Sequence, residues 1–258
     1  MRVVSLTCSN TEIVCALDCA DLLVGVDDHS DHPPAIVARL PRVGPDLQID
    51  VARVAALRPD LVLASLTVPG HERVVEALEA ARLPWMATEP VSLDDVYADV
   101  ATIARVLGVG GRAEGVVRAM RTALGAPSAA PGRRPSVLVE WWPKPVIVPG
   151  GRSWVAQMLA AAGACGPLDD EAVKSRPITD DEVRTFDPDA VVIAWCGVPF
   201  AKYRPDVVRR RPAWRDLRAI ARGHVYCIAE AHLGRPGPRL VDGVRDLRRV
   251  VRACGGAG

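Results

Sequence analysis

Hydrophobic residues recur along this chain in two alternating patterns: short apolar runs, and longer stretches in which every third or fourth residue is apolar. The short runs predict strands, and the longer stretches predict helices with one buried face. In the first ninety residues, strands are predicted at 3–6, 22–26, 60–64 and 84–87. Helical stretches separate these strands, and this order is typical of parallel βαβ units. The pattern therefore predicts an α/β fold.

A longer helical pattern follows, from Ser92 to about Leu124. Ser92 is a suitable N-cap, and Asp94 and Asp95 lie near the positive end of the predicted helix. The apolar spacing is interrupted around Gly108 and then resumes. Because a helix of this length spans a good part of a small domain, we expect it to connect two lobes.

The second half of the chain repeats the alternation of strands and helices, after a Pro-, Ala- and Arg-rich segment at 127–135 that predicts a loop. Strands are predicted at 136–140, 190–194 and 225–228, and helices at 153–162 and from Pro238 onwards. The predicted division is an N-terminal α/β lobe at 1–91, a connecting helix at 92–125 and a C-terminal α/β lobe at 134–258.

The composition excludes several classes of protein. The formal charge is +1, from 32 basic and 31 acidic residues, without the basic excess that is typical of nucleic-acid binders. No window approaches the roughly 18 uninterrupted apolar residues that a membrane-spanning helix needs. We therefore expect a globular protein that has no nucleic-acid partner. Separately, we expect it to be a monomer.

The N-terminus and the cysteines bear on the compartment. Met1 and Arg2 lead directly into a predicted strand, without the basic, apolar and small-residue regions of a signal peptide. Seven cysteines are an odd number, and their spacing predicts no disulfide framework. Because free thiols persist best in a reducing compartment, we expect a cytoplasmic location. The alternative is a periplasmic or lipid-anchored protein whose leader is missing from the sequence.

Several short motifs occur in an order that is typical of one family. Val-Ser-Leu, Ser-Asn-Thr-Glu and Val-Gly-Val follow one another within residues 3–33, Arg-Pro-Asp-Leu-Val stands at 58–62, and Asp-Pro-Asp-Ala-Val-Val stands at 187–192. Over nearly its whole length, the chain resembles the periplasmic binding proteins for cobalamin, haem and ferric siderophores. The resemblance implies two Rossmann-like lobes with parallel sheets, joined by one long helix, with the ligand in the cleft between the lobes.

The motifs of the second half are similar to those of the cobalamin-binding branch of the family. These motifs stand at 140–145, 150–154, 194–197 and 233–239. The resemblance implies a corrinoid (cobalamin-like) ligand, with a ferric siderophore or haem as the alternative. It implies a substrate-binding protein of an ABC importer, or a cytoplasmic carrier, that needs no cofactor and is not an enzyme. The alternative of another class is a metal- or thiol-dependent enzyme that uses Cys8, His29 and Cys196.

Tryptophan is concentrated in the second half of a chain that has few aromatic residues. The four tryptophans of interest are Trp141, Trp142, Trp154 and Trp195. Three of them directly follow predicted strands, and ligands of open parallel sheets bind at the carboxyl ends of strands. Flat aromatic faces there suit a corrin or a porphyrin, whereas the alternative is packing in the core. We include Cys196 and Arg235, from the same motifs, among the expected ligand contacts.

Polar residues follow two predicted strands of the first half. The expected ligand contacts there are Thr7, Cys8, Ser9, Asp28, His29 and His32. The first three lie at a helix start, where free backbone amides favour anions, although a serine there can equally be only a cap. The two imidazoles suit a metal ion or ligand amides, and the alternative for this segment is a turn. Cys15 and Cys19 share one helix face, and we interpret them as core residues rather than metal ligands.

Two glutamates are candidates for contact with a membrane transporter. In importer-linked members of the family, one exposed glutamate on each lobe docks onto the membrane component. The resemblance implies this role for Glu72 and Glu182. Both also lie at predicted helix starts, where the helix dipole stabilises a carboxylate without any partner.

Overall fold

The computed structural model describes residues 1–126 and 133–255, which form two compact units. The first unit comprises Met1–Pro90 and Asp94–Ala119, and the second comprises Val91–Leu93 and Met120–Gly258. Most of the loop predicted at 127–135 lies outside the described residues. Both units combine a parallel sheet with helices, so the predicted α/β class is confirmed.

The first unit contains four strands and six helices, the last of which continues into the second unit. In chain order these are β1 (Val3–Ser5), α1 (Cys8–Ala16), β2 (Leu23–Val26), α2 (Pro34–Val37), α3 (Val51–Ala56), β3 (Leu61–Ser65), α4 (His71–Ala80), β4 (Trp85–Thr88), α5 (Leu93–Val106) and α6 (Gly110–Leu124). The strands form one parallel sheet in the order β2-β1-β3-β4. Val4, Leu6, Val62 and Leu78 are among its buried core residues. Because helices cover both faces of a parallel sheet, β1 and β3 are buried throughout and have continuous apolar runs.

In residues 133–255, the second unit contains two sheets. Its elements are β5 (Val137–Glu140), β6 (Trp142–Pro143), β7 (Val146–Pro149), α7 (Trp154–Ala161), β8 (Ser175–Pro177), α8 (Asp180–Phe186), β9 (Ala190–Ile193), α9 (Pro205–Arg209), α10 (Arg218–Ala221), β10 (Val225–Cys227), α11 (Glu230–Leu233) and α12 (Leu240–Ala253). Three parallel strands have the order β10-β9-β5, and β6, β7 and β8 form a small antiparallel sheet. This places the carboxyl ends of β5, β9 and β10 at one edge.

The segment that was predicted to be one connecting helix contains two helices, α5 and α6. Gly108 has a φ of 76°, a left-handed conformation that glycine adopts at little cost. The N–H of Val109 donates to the carbonyl of Ala104 (2.8 Å), and that of Gly108 donates to Arg105 (3.1 Å). This pair of bonds is the Schellman motif, which ends α5. The expectation of a single helix at 92–125 is therefore corrected, and most of the segment belongs to the first unit.

Candidate functional site

A chain of buried hydroxyl groups lies at the carboxyl ends of β1 and β2 in the first unit. Thr11 donates its hydroxyl to Ser5 Oγ (2.8 Å) and lies 2.8 Å from Ser30 Oγ, which in turn donates to Asp27 Oδ1 (2.5 Å). We call Ser5, Thr11, Asp27 and Ser30 the polar cluster. All four side chains are buried. The hydrogen bonds fix the segment after β2 against the start of α1.

Asp27, which sequence reasoning missed, is the carboxylate that organises this segment. It is fully buried, and its Oδ2 accepts from the N–H of His29 (2.9 Å) and the thiol of Cys8 (3.9 Å). Burial raises the pKa of Asp27, against the hydrogen bond from Ser30, which lowers it. The predicted contact Asp28 is exposed and accepts the N–H of Gly44 at 3.3 Å. The available signal for Asp27 was its place directly after a buried strand, with a serine three residues further along the chain.

The predicted residues Thr7, Cys8 and Ser9 form the turn into α1. Thr7 is the N-cap residue and Cys8 the first helical residue, so Ser9 lies within the helix and is not its cap. The hydroxyls of Thr7 and Ser9 lie 3.4 Å apart, and both residues are buried. Cys8 is half-buried. A ligand contact by any of the three stays a prediction.

Two imidazoles lie close to one carboxylate in the first unit. Nε2 of His29 lies 3.7 Å from Asp46 Oδ1, and Nε2 of His71 lies 3.4 Å from Asp46 Oδ2. His71 Nδ1 accepts the N–H of Val68 (3.3 Å), which leaves the ring proton on Nε2, facing Asp46. The hydrogen bond from His71 is the main cause that lowers the pKa of Asp46. The predicted contact His29 is exposed, and His32 is half-buried.

In residues 1–126 and 133–255, no group of three or more histidines, cysteines, aspartates and glutamates is arranged to hold a metal ion. Within the same ranges, no helix combines the length and the apolar character that crossing a membrane requires.

Trp141 and Trp142 directly follow the carboxyl end of β5, and the ring of Trp141 contacts that of Trp154 at the start of α7. We call Trp141, Trp142 and Trp154 the aromatic cluster. The rings of Trp141 and Trp154 lie 6.0 Å apart, and Trp154 is buried and donates its indole N–H to the carbonyl of Leu233 (2.7 Å). Trp142 is 42% exposed, and its indole donates to the carbonyl of Lys144 (3.1 Å). Trp142 therefore presents an exposed ring in a fixed orientation.

Trp195, the fourth tryptophan, lies in the core of the second unit. Its indole N–H donates to Glu140 Oε1 (2.8 Å), and its ring lies 5.5 Å from that of Tyr203. Glu140 also accepts two hydrogen bonds from Arg211, at 2.5 and 2.9 Å. This position supports the alternative of core packing for Trp195 and offers a ligand almost no exposed surface.

Cys196 and Arg235 follow the carboxyl ends of β9 and β10. Burial raises the pKa of the Cys196 thiol to about 12, with a smaller contribution from the charge of Glu230. Arg235 donates through Nε to Glu230 Oε2 at 3.0 Å. At this pKa, Cys196 is a neutral thiol at physiological pH and is a poor nucleophile.

The two glutamates expected at the transporter contact differ in their surroundings. Glu72 is exposed, and its Oε2 accepts the N–H of Gly70 at 2.8 Å. Glu182 forms a capping box with Thr179 and accepts from Arg176 Nη2 at 2.7 Å. These bonds, above all the one from Arg176, lower the pKa of Glu182 to about 2. Glu182 thus has a structural role at the start of α8, and the docking role of both residues stays a prediction.

All seven cysteines are free. Desolvation raises the pKa of six of the thiols. These are Cys15, Cys19, Cys165, Cys196, Cys227 and Cys254. The value for Cys15 is about 11, and Cys19 is buried. The burial of Cys19 agrees with a core role, but Cys15 is only half-buried. The expectation that the two share one helix face is corrected, because α1 ends at Ala16 and Cys19 lies beyond it.

The family described as "Periplasmic binding protein" matches residues 3–231. This chain belongs to that family. It is 29% identical to the "Uncharacterized ABC transporter substrate-binding lipoprotein YvrC" of Bacillus subtilis, over 97% of this chain and 79% of the relative. It is 24% identical to the "Vitamin B12-binding protein" of Yersinia pestis, over 75% of this chain and 69% of that one.

A solved structure is similar over almost the full length. It is that of a periplasmic heme-binding protein from Pseudomonas aeruginosa, with 27% identity, a TM-score of 0.80, and coverage of 97% of this chain and 92% of that chain. The relatives overturn the expected cytoplasmic location, because the Bacillus protein is a lipoprotein and the Pseudomonas protein is periplasmic. The free cysteines misled that expectation because desolvation raises the pKa of six of the seven thiols and so favours their less reactive neutral form.

Proposed function

We propose that this protein is the substrate-binding component of an ABC importer, that it acts outside the cytoplasmic membrane, and that its ligand is a corrinoid. The observation that carries the ligand assignment is the aromatic cluster at the carboxyl edge of the second unit's parallel sheet. Trp142 has an exposed indole there that donates to the carbonyl of Lys144, and the neighbouring Trp141 packs on Trp154. The similarity to vitamin B12-binding proteins supports the same assignment.

A corrinoid has a large, flat, mainly apolar ring with polar amide arms, and the two kinds of surface call for different partners. A fixed aromatic ring buries flat apolar surface and loses little conformational entropy on binding. Amide arms need hydrogen-bond partners, and the first unit by itself offers the hydroxyls of Thr7 and Ser9 and the exposed imidazole of His29 as candidates. We propose that flat apolar contacts account for affinity and that polar contacts account for orientation.

Haem is the second candidate ligand, because the chain is 27% identical to a periplasmic heme-binding protein over almost its whole length. Haem offers the same flat apolar face, but its iron accepts an axial ligand from the protein. His29, half-exposed and next to Asp46, is the residue we propose for that role. The importer contact is proposed for Glu72 and Glu182, which lie at the starts of α4 and α8.

A titration with cyanocobalamin, hydroxocobalamin and haem tests the proposal, followed by tryptophan fluorescence and visible absorbance. Saturable quenching by both cobalamins is the expected result. A band shift with hydroxocobalamin that is absent in His29→Ala would identify the axial contact. Quenching by haem alone would replace the corrinoid by haem, and no response to any of the three would refute a tetrapyrrole ligand.

Variants of Trp142 separate a ligand contact from a structural role. Trp142→Ala is expected to weaken binding by about tenfold, since an aromatic anchor of an interface contributes more than 1 kcal/mol. Trp142→Phe, the matched control, keeps a flat ring and most of the affinity. Both variants should unfold at the wild-type temperature, because the indole is exposed. Equal affinities for the Ala and Phe variants would remove the aromatic cluster from the proposal.

A further inference from the structure

We propose that Phe200 is a further ligand-contact residue of this protein and that Tyr203 is the residue that positions it. Phe200 begins a short 3-10 turn, Phe200–Lys202, that follows the carboxyl end of β9. Its side chain is 55% exposed, more than that of Trp142. This inference rests on the proposed function, because it concerns the same tetrapyrrole ligand.

The chain segments that carry Phe200 and Trp142 leave the parallel sheet at the same edge. β5 and β9 are neighbouring parallel strands, with Glu140 opposite Ile193. The pairing continues beyond the strands, since the N–H of Cys196 donates to the carbonyl of Trp141 at 2.9 Å. The segments that carry Trp142 and Phe200 therefore start side by side.

The ring of Phe200 rests on a buried support. It lies 5.2 Å from the ring of Tyr203, which in turn lies 5.5 Å from Trp195 in the core. The Tyr203 hydroxyl donates to the carbonyl of Trp195 (3.0 Å) and accepts the N–H of Glu230 (3.2 Å). Because its hydroxyl both donates and accepts and its ring is buried, Tyr203 provides a fixed surface on which the ring of Phe200 packs.

The turn that carries Phe200 is itself closed by a side chain. Arg204 donates through Nη1 to the carbonyls of Ala201 and Tyr203, both at 3.0 Å. The N–H of Lys202 also donates to the carbonyl of Pro199 at 2.8 Å. An exposed phenylalanine on a turn with this many bonds is preorganised, so little entropy is lost when a ligand covers it.

Two exposed rings that leave adjacent strands suit a ligand with a broad flat face better than a compact one. Phe200 is thus expected to discriminate between ligand classes. Its removal should weaken the binding of cyanocobalamin or haem, and should have little effect on a globular ferric hydroxamate, which presents no flat face of that size.

The test compares Phe200→Ala with Val207→Ala, a matched control that truncates an exposed apolar residue of α9 in the same segment. Affinity is measured by fluorescence quenching with cyanocobalamin, haem and ferrioxamine B. Phe200→Ala should weaken tetrapyrrole binding by about tenfold at an unchanged unfolding temperature, and Val207→Ala by less than about twofold. Wild-type affinity in Phe200→Ala, or an equal loss in Val207→Ala, would overturn the inference while leaving the proposed function intact.

Tyr203→Phe tests the positioning role, because it keeps the ring and removes both hydrogen bonds. It should weaken tetrapyrrole binding in the wild-type background and have almost no further effect in Phe200→Ala, since it acts through that ring. Equal losses in both backgrounds would refute positioning through Phe200. If the wild-type protein binds neither cyanocobalamin nor haem, both the proposed function and this inference fail, and the wild-type titration alone reveals this.

Discussion

Replacing Arg211 with alanine tests the buried ion pair that holds the carboxyl end of β5. Glu140 is 0% exposed, and three hydrogen bonds reach its carboxylate, two from Arg211 and one from Trp195. Arg211→Ala removes the only cation among these three donors. A buried carboxylate then has one neutral donor, which does not compensate for its lost hydration.

The expected magnitude follows from the burial of the two partners. Removing one member of a buried ion pair costs about 3–5 kcal/mol. The guanidinium of Arg211 also lies 4.3 Å from the centre of the Trp214 ring, a contact that adds about 0.5–2 kcal/mol. However, Arg211 is 16% exposed, so water enters the vacated space and we expect a total near 3–4 kcal/mol. For a protein of this size that loss lowers Tm by about 6–16 °C.

Urea unfolding and differential scanning calorimetry measure the loss. Arg210→Ala is the matched control, because Arg210 is 83% exposed and lies 3.8 Å from Asp206. It should change the free energy of unfolding by less than about 0.5 kcal/mol. Adding Glu140→Gln to Arg211→Ala should restore part of the stability, since a neutral amide is cheaper to bury. If Arg211→Ala is as stable as Arg210→Ala, the ion pair does not stabilise the second unit.

Three further predictions concern stability. Glu182→Gln removes a carboxylate whose folded-state pKa of about 2 lies below its unfolded value of about 4.3. The advantage of the wild type in urea unfolding should therefore be complete above pH 4.3 and decline as the pH falls towards 2; a constant advantage would contradict this. Asp27→Ala should lower the free energy of unfolding by about 1–3 kcal/mol in the same assay, because buried donors lose their acceptor. Replacing the exposed Asp28 with alanine should lower it by less than about 0.5 kcal/mol. Gly108→Ala should lower Tm because φ is positive at this residue. Gly115→Ala should raise Tm, because Gly115 lies in a helix and an added Cβ would meet no neighbouring atom. Changes of Tm in the same direction for both variants would refute the backbone argument.

The strands could be predicted from the sequence because the parallel sheets are covered on both faces. Their apolar runs are continuous, and the predicted strands at 136–140, 190–194 and 225–228 agree with β5, β9 and β10 to within one residue at each end. The small antiparallel sheet was missed, since its strands are two to four residues long and each ends in or contains proline. The alternation of apolar and polar residues that indicates a strand cannot be recognised over so few residues.

The details of the candidate site were less predictable than the fold. Position after a strand could not separate the exposed Trp142 from the buried Trp195, because the segment that covers Trp195 comes from elsewhere in the chain. The same limit applies to Asp27 and Asp28, of which only the first points into the unit. The break at Gly108 was visible as an interruption, yet only the backbone angle shows that it ends a helix.

The burial of the thiols has a chemical consequence in the oxidising surroundings in which the relatives act. Oxidation and disulfide exchange proceed through the thiolate. With a pKa of about 11, Cys15 is ionised in roughly one molecule in ten thousand at pH 7. For the six thiols whose pKa desolvation raises, folding thereby slows oxidation without any reductant. Molecules that unfold lose this protection, so disulfide-linked aggregates should form from the unfolded population. The amount of these aggregates should therefore measure how often the protein unfolds.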